Sequence, residues 1–498
     1  MVMFPTFSPF ENEWITFLVF LGVIFFLIGL SEAARSKLRW TVETSRRSVH
    51  IIVGVLVIFS PFLFVSKLPP ITLAAIFIAV NIVTLRTKKF EAMHATNRVT
   101  YGTVYFPLAY LILCLFWWER PVVFEISLLL LTFADTAAAV AGERAKSPEF
   151  YTVWRDRKTI QGSVIMFIVS ILLIGLGTRM FQGLVNVPPV DLKILLPLSL
   201  FVAALVTVAE ATSSTGSDNL TVPLVAAVSY DLFYITAQNG ETVTLLLWIL
   251  FSFVLAVGAV KLNTVSTNGA LGAFIMGLFI FGIGSWQFMI PLVVFFVLSS
   301  LLSKVGKHRK KTARAVPVKG SRRDIVQVFS NGGIPMLLAI WWFYQPSEWL
   351  YAVYLASVAA ATADTWETEI GFFSRWVPRN SVTFAKMEPG ASGGVTLIGT
   401  AGGLLGSIAI AATAYPFLPN PSILKWVIAA GFAGSLIDSF LGASVQGLYR
   451  CNECNRMTEA ASHCSEPATL ARGTGYINND VVNLLCTLSG GTIILLLL

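Results

Sequence analysis

About sixteen apolar windows, most of them long enough to cross a bilayer, constrain this chain more than any other feature. They lie at 14–30, 49–65, 71–85, 101–118, 122–141, 163–178, 194–209, 221–237, 243–260, 270–284, 288–302, 325–342, 350–363, 393–413, 423–440 and 481–498, with charged or Pro/Gly-bearing breaks between them. Their hydrophobicity is continuous rather than alternating, so they read as helices whose backbone polar groups are satisfied within each segment. The fold class expected is therefore all-α: a polytopic integral membrane protein. Composition agrees, with 55% hydrophobic and 12% charged residues. The net charge of +8 falls mainly in the short loops, as cytoplasmic loops require, and no nucleic-acid partner is expected.

Loop charge sets the orientation. With the loop after the first window inside, alternate loops collect all the Lys and Arg residues except Lys67, Arg120, Arg179, Lys193 and Lys425. Both termini then lie outside. The N-terminal MVMFPTFSPFENEW has no basic residue ahead of its apolar run, so the first window reads as a retained span rather than a cleaved signal.

The stretch FADTAAAVAGE (Phe133 to Glu143) carries Asp135 toward the cytoplasmic end of the fifth window. An aspartate at the centre of a bilayer costs roughly 2.5–3.5 kcal/mol even on insertion scales, so it needs a reason. The feature recurs. ATADTWETEIG (Ala361 to Gly371) ends the thirteenth window with the same A-D-T-x5-G pattern around Asp364. Downstream, KTIQGS (Lys158 to Ser163) and EPGASGGVT (Glu388 to Thr396) each lead into a helix from the inside. Glu210 and Asp438 follow at nearly equal intervals, then Asp218-Asn219 and Asn478-Asn479-Asp480; upstream, SRRSV (Ser45 to Val49) and SRRDI (Ser321 to Ile325) each open a window. The chain reads as two related units of the same orientation, 1–240 and 241–498.

Each unit thus gathers carboxylates, an amide, basic residues and a small-residue helix start on one face of the membrane. Carboxylate and amide oxygens suit Mg²⁺. Lys158 or an SRR arginine would neutralise phosphate oxygens, and helix N-termini offer free N–H groups to an anion. These are the parts phosphoryl transfer uses. Plainer readings stand beside them: tight helix packing for ASGGVTLIGTAGG, an orientation anchor for SRR, a satisfied polar group for His50, and an ion pathway or structural role for a lone membrane aspartate.

Five cysteines are present. Cys114 and Cys486 lie in apolar windows and read as small buried side chains. Cys451, Cys454, His463 and Cys464, within a loop spanning 450–472, form a set compatible with tetrahedral zinc, the alternative being a reduced thiol cluster.

Two resemblances rest on these motifs. SRRSVH, FADTAAAVAGE, RKTIQGS and AEATSSTGSDNLTVPL, over roughly 15–237, resemble the CTP-dependent lipid-alcohol kinases that include dolichol kinase and phytol kinase, themselves similar to phosphatidate cytidylyltransferases. ADTWETEIG, EPGASGGVTLIGT, GSLIDSFLGASVQ and NNDVVN, over roughly 245–498, resemble the integral membrane family containing phytyl-phosphate kinase. Together they imply a bifunctional phosphotransferase. The first unit would phosphorylate an isoprenoid alcohol taken from the bilayer, and the second would convert the monophosphate to a diphosphate, using cytosolic CTP or another nucleoside triphosphate with Mg²⁺.

The resemblance implies Asp135, Lys158, Glu210, Asp218 and Asn219, with Gly162 and Ser163, as the first nucleotide-metal site. For the second it implies Asp364, Glu369, Asp438, Asn479 and Asp480, with Gly393 and Gly394. Asp135, Lys158 and Asp364 stand nearest the chemistry. Asp135 holds metal or takes the hydroxyl proton; the sequence leaves both open. The location expected is a bacterial inner membrane with sites facing the cytoplasm. Competing expectations are a cytidylyltransferase acting on a lipid phosphate, and a transporter using the buried carboxylates.

Overall fold

A computed structural model describes residues 4–87, 100–305 and 322–498. Ser321, which opens the SRRDI motif, lies outside them. Among the described residues, thirteen helices are long and apolar enough to cross a membrane. Three further features recover the remaining expected spans. Gly102–Phe116 is an apolar helix of shorter length. Glu348–Gly371 is a 24-residue helix with three acids in its last two turns. Thr267–Lys304 is continuous in hydrogen bonding but broken at Ser285, whose φ of 49° and ψ of −142° are not helical. Its two limbs run antiparallel, because Ser266 N–H at one end donates to the Arg323 carbonyl while Phe295 and Phe296 on the other limb lie under the Arg323 guanidinium.

The chain divides into two compact units, Met1–Thr242 and Val243–Leu498. The first contains α1 (Glu13–Leu38), α2 (Val42–Ile58), α3 (Ser60–Leu63), α4 (Leu68–Thr87), α5 (Gly102–Phe116), α6 (Pro121–Leu129), α7 (Asp135–Arg144), a hairpin of β1 (Phe150–Thr152) and β2 (Arg157–Thr159), α8 (Ile160–Leu184), α9 (Leu192–Thr212) and α10 (Asp218–Gln238). A π-helical turn, Leu130–Ala134, joins α6 to α7. The second contains α11 (Thr242–Lys261, its first residue closing unit one), α12 (Thr267–Lys304), α13 (Ile325–Tyr344), α14 (Glu348–Gly371), β3 (Arg379–Asn380), β4 (Gly394–Val395), α15 (Leu397–Ala414) and α16 (Leu424–Ser444). It ends with the small strands β5 (Leu448–Arg450), β6 (Met457–Thr458), β7 (Ser462–His463), β8 (Glu466–Pro467) and β9 (Thr469–Arg472), then α17 (Asn479–Leu497).

In the second unit the acid-bearing helix is the buried one. From Leu350 to Ala363 every residue of α14 is buried, among α13, α15, α16 and α17. Its neighbours approach through small residues: a Cβ on Gly431 would stand 2.5 Å from that of Ala359, and one on Gly490 would stand 2.7 Å from the Ala356 carbonyl. Helix association in lipid lacks a hydrophobic drive and relies on such close packing. Outer helices instead expose apolar rows, such as Leu172, Leu176 and Met180 on α8, which acyl chains would cover. The run ASGGVTLIGTAGG serves this packing: Gly402 meets Ile370, and Gly403 lies against the Ala363 carbonyl.

Gly431→Val should therefore overpack the α14–α16 contact and cost about 1–3 kcal/mol. Gly22→Val, where nothing lies within 4 Å of the added Cβ, should leave the thermal midpoint in detergent unchanged. Equal midpoints for the two variants would remove close packing as the organising force of the second unit.

Candidate functional site

In the first unit the π-turn sets the geometry. Asp135 N–H reaches back five residues to the Leu130 carbonyl, so the helix widens one turn before the acid, a bulge of the kind often found at functional sites. Next, Thr159 caps α8 by accepting from Gly162 N–H at 3.2 Å. Gly142 and Gly162 leave room for that cap: a Cβ on Gly142 would stand 2.4 Å from Thr159 Oγ1, and one on Gly162 would stand 3.0 Å from the Ala138 carbonyl. The Thr cap thereby locks α7 against α8 and fixes Lys158, the preceding residue, at the helix mouth.

Lys158 Nζ donates to Glu210 Oε1 at 2.5 Å and to Ser213 Oγ at 3.2 Å, and lies 3.7 Å from Asp218 Oδ2. Ser213 Oγ bonds the Glu210 carbonyl at 2.7 Å and stands 3.4 Å from Asp218 Oδ2, linking the end of α9 to the start of α10. Asn219 Nδ2 donates to Asp218 Oδ1 at 3.1 Å and to the Gly216 carbonyl at 3.1 Å. Asp135 shares the field of Asp218, Glu210, Lys158 and Arg46. Burial draws the Lys158 pKa down, but the charges of Glu210 and Asp218, with the Glu210 hydrogen bond, outweigh it, and the net position is above its ordinary value. A raised lysine pKa gives stabilisation that is complete below the unfolded value and is lost only as pH rises through the folded one. The ion pair therefore stays intact across neutral pH.

These groups line one cavity of about 1020 Å³. Asp135, Lys158, Gly162, Ser163, Glu210, Asp218 and Asn219 all border it, joined at the same end by Arg46, Arg47, Arg155 and Arg157. The other limb is apolar, bordered by Ile24, Val53, Val57, Leu73, Phe77 and Phe106. Several members had no signal in the sequence reading. Asp156 accepts from Thr215 N–H at 3.0 Å and ties the hairpin to the α9–α10 turn, and Tyr151 OH stands 2.5 Å from Ser163 Oγ. His50 is a satisfied polar group, its Nε2 3.0 Å from the Leu131 carbonyl.

The second unit repeats the frame with different chemistry. Thr396 caps α15 by accepting from Gly399 N–H at 3.1 Å; a Cβ on Gly371 would stand 3.3 Å from Thr396 Oγ1, and one on Gly399 would stand 2.7 Å from the Glu367 carbonyl. Gly371, Thr396 and Gly399 are thus the counterparts of Gly142, Thr159 and Gly162. Gly393 and Gly394, grouped from the sequence with the Gly162 turn, do different work: at φ 82° Gly393 presses its backbone on Ala443 at the end of α16, and Gly394 pairs with Asn380. The counterpart of Lys158 is Val395. Among the described residues no lysine enters this cluster. Asp364, Asp438 and Glu367 share one electrostatic field, and Glu367 accepts from Thr400 Oγ1 at 3.3 Å.

Glu369 stands apart from that cluster, accepting from Ser303 Oγ at 2.6 Å on the α12 side. Glu367, three residues from Asp364, shares its helix face and Glu369, five away, does not; that spacing was the available signal. Asp480, beside Asn479 at the start of α17, shares the field of Glu459, which reaches over from the Cys/His loop toward Asp438.

Lys158→Met should leave Glu210 as an uncompensated buried charge and cost about 3–5 kcal/mol. Adding Glu210→Gln should restore most of it, read as the thermal midpoints of single and double variants; additive losses would contradict the pairing.

Comparison with known proteins bears on the second unit. The family model described as "Integral membrane protein DUF92" matches residues 250–491. The uncharacterized membrane protein MJ0933 of Methanocaldococcus jannaschii is 32% identical over 49% of this chain and 90% of its own length. Protein PGR of Arabidopsis thaliana is 27% identical over 44% of this chain and 85% of its own length. The uncharacterized membrane protein sll0875 of Synechocystis sp. is 25% identical over 40% and 79% respectively. No solved structure matches. Through residues 250–491 the chain belongs to the integral membrane protein family DUF92.

Proposed function

We propose that this protein is a two-step membrane phosphotransferase, phosphorylating an isoprenoid alcohol in the first unit and the resulting monophosphate in the second. The observation that carries the reading is the cavity of the first unit, which has a wall of acids, an amide and four further cations at one end and aliphatic and aromatic side chains at the other. A primary alcohol on a long apolar tail fits both limbs at once. Each half of that cavity alone has a simpler explanation; the continuity between them favours a substrate that is itself amphipathic.

In the first step the substrate hydroxyl oxygen attacks the γ-phosphorus of a nucleoside triphosphate. The bond from that phosphorus to the β–γ bridging oxygen breaks, and the nucleoside diphosphate leaves. The hydroxyl proton passes to a carboxylate or to solvent, and Asp135 borders the cavity where that hydroxyl would lie. Arg46, Arg47, Arg155 and Arg157 face the phosphates, as the donor geometry of guanidinium groups suits. The resemblance to CTP-dependent kinases makes CTP the first donor to try. Magnesium fits the donor set. The carboxylate oxygens are hard ligands, and Glu210 Oε2 and Asp438 Oδ2 are buried without a hydrogen-bond partner. Bound there, it would neutralise charge on the transferring phosphoryl group. In the second step a phosphate oxygen of the monoester takes the place of the hydroxyl. The nucleophile is then already an anion and needs no base, which suits a cluster of Asp364, Asp438 and Glu367 without the lysine of the first unit.

Purified protein given phytol, Mg²⁺ and γ-labelled CTP should form labelled lipid monophosphate and diphosphate. Asp135→Asn should slow the first step by about 10²-fold or more while sparing supplied monophosphate. Asp364→Asn should accumulate monophosphate. Loss of both steps in either variant would refute two separate sites, and formation of a CMP-lipid with pyrophosphate would make the enzyme a cytidylyltransferase.

A further inference from the structure

Between α16 and α17 the second unit inserts a segment that the first does not have. From Cys451 to Arg472 only Cys451 and Thr458 are buried, so this segment has no apolar core to hold it. Small folded pieces of that kind need a staple. Its turns nevertheless converge. Cys451 N–H donates to the Arg456 carbonyl at 2.9 Å, and the Cys451 carbonyl accepts from Asn455 N–H at 3.0 Å, closing a tight knuckle around Cys454. Strands β7 and β8 pair as a hairpin whose two turn residues, Cys464 and Ser465, have φ of 54° and 65°. Such turns ordinarily use Asn-Gly or Gly. Side chains in that region persist where their surroundings over-determine them.

The ligand atoms of Cys451, Cys454, His463 and Cys464 all lie within 4.8 Å of one another, and among the described residues this is the one group of three or more His, Cys, Asp or Glu so arranged. His463 Nδ1 stands 3.4 Å from Cys454 Sγ and 3.2 Å from Cys464 Sγ. A ring nitrogen has one lone pair or one N–H and satisfies one of two such contacts by hydrogen bonding. Tetrahedral zinc, with Zn–N of about 2.0 Å and Zn–S of about 2.3 Å, sets N and S roughly 3.5 Å apart and accepts both.

We propose that Cys451, Cys454 and Cys464 as thiolates, with His463 through Nδ1, hold one Zn²⁺, and that this centre fixes the inserted segment over the Asp364–Asp438 cluster. Two contacts run from the segment to the chain around that cluster. Glu459 accepts a hydrogen bond from Ser392 Oγ in the loop leading to α15, and Gln446 Nε2 donates to the same hydroxyl at 3.2 Å. Arg472 Nη2 donates at 2.8 Å to the Gly442 carbonyl, one turn past Asp438 on α16. Glu459 in turn shares the field of both Asp438 and Asp480. The zinc is thus a structural clip, and Glu459 and Arg472 are the groups it positions. The assignment holds whatever reaction the second unit performs.

The test uses the full-length protein in detergent. Elemental analysis should find one zinc per chain. Cobalt exchange should give thiolate charge-transfer and tetrahedral d–d bands. Cys454→Ser and Cys464→Ser should lose metal and bands, while Cys114→Ser and Cys486→Ser keep both. Chelation of the wild-type protein should raise the rate of tryptic cleavage at Arg456 at least tenfold with the membrane helices intact, which separates the clip from any folding defect of the variants. A metal-free chain with the segment protected, metal retained in the Cys454→Ser/Cys464→Ser double variant, unchanged cleavage after metal loss, or a Cys454–Cys464 disulfide in unreduced protein would each overturn the proposal.

Discussion

The ammonium of Lys158, 2.5 Å from one carboxylate and 3.7 Å from a second, lets charged groups collect at one end of the first unit. Without it, Glu210 and Asp218 would repel each other and Asp135 in a place poor in water. A buried charge pair gives little net stability against its own desolvation, so the arrangement is costly unless used. The helices converge on this point. The Thr159 cap fixes the lysine, Ser213 links the Glu210 carbonyl to Asp218 at the start of α10, and the π-turn before Asp135 shifts the acid-bearing helix.

The second unit keeps the frame but, among the described residues, brings no lysine to it. Its Thr cap, its two glycines and its central acid occupy the same relations, yet Val395 stands where the lysine would be and Asp364 lies in the field of Asp438. The shared frame argues for a common origin, and the exchanged cation argues for different work. On the functional reading proposed here, the first site must activate a neutral hydroxyl and the second must accept an already anionic phosphate.

Much of this was legible in the sequence, for physical reasons. Continuous apolar runs give each membrane helix its own signal, and even the Ser285 reversal showed as a break between two windows. The A-D-T-x5-G repeat identified the central helix of each unit because its glycine contacts the next helix's cap. The positions of loop and turn residues were less legible. Gly393 and Gly394 looked like a phosphate turn because small residues cluster there, whereas the contact that matters belongs to Thr396 and Gly399. Glu369 was chosen over Glu367 although helical spacing favours the latter. Asp156, Tyr151 and Glu459 act through loops, and loop contacts have no periodicity to read.

On the proposed function, the first unit seats a lipid alcohol with its hydroxyl against Asp135 and its tail along the apolar lining of the same cavity. Photolabelling with an isoprenoid alcohol carrying a diazirine in its tail tests this directly. The account predicts adducts on Val53, Val57, Leu73 and Phe77 that excess phytol suppresses. Adducts confined to outward-facing residues such as Leu172 and Leu176, insensitive to phytol, would contradict it.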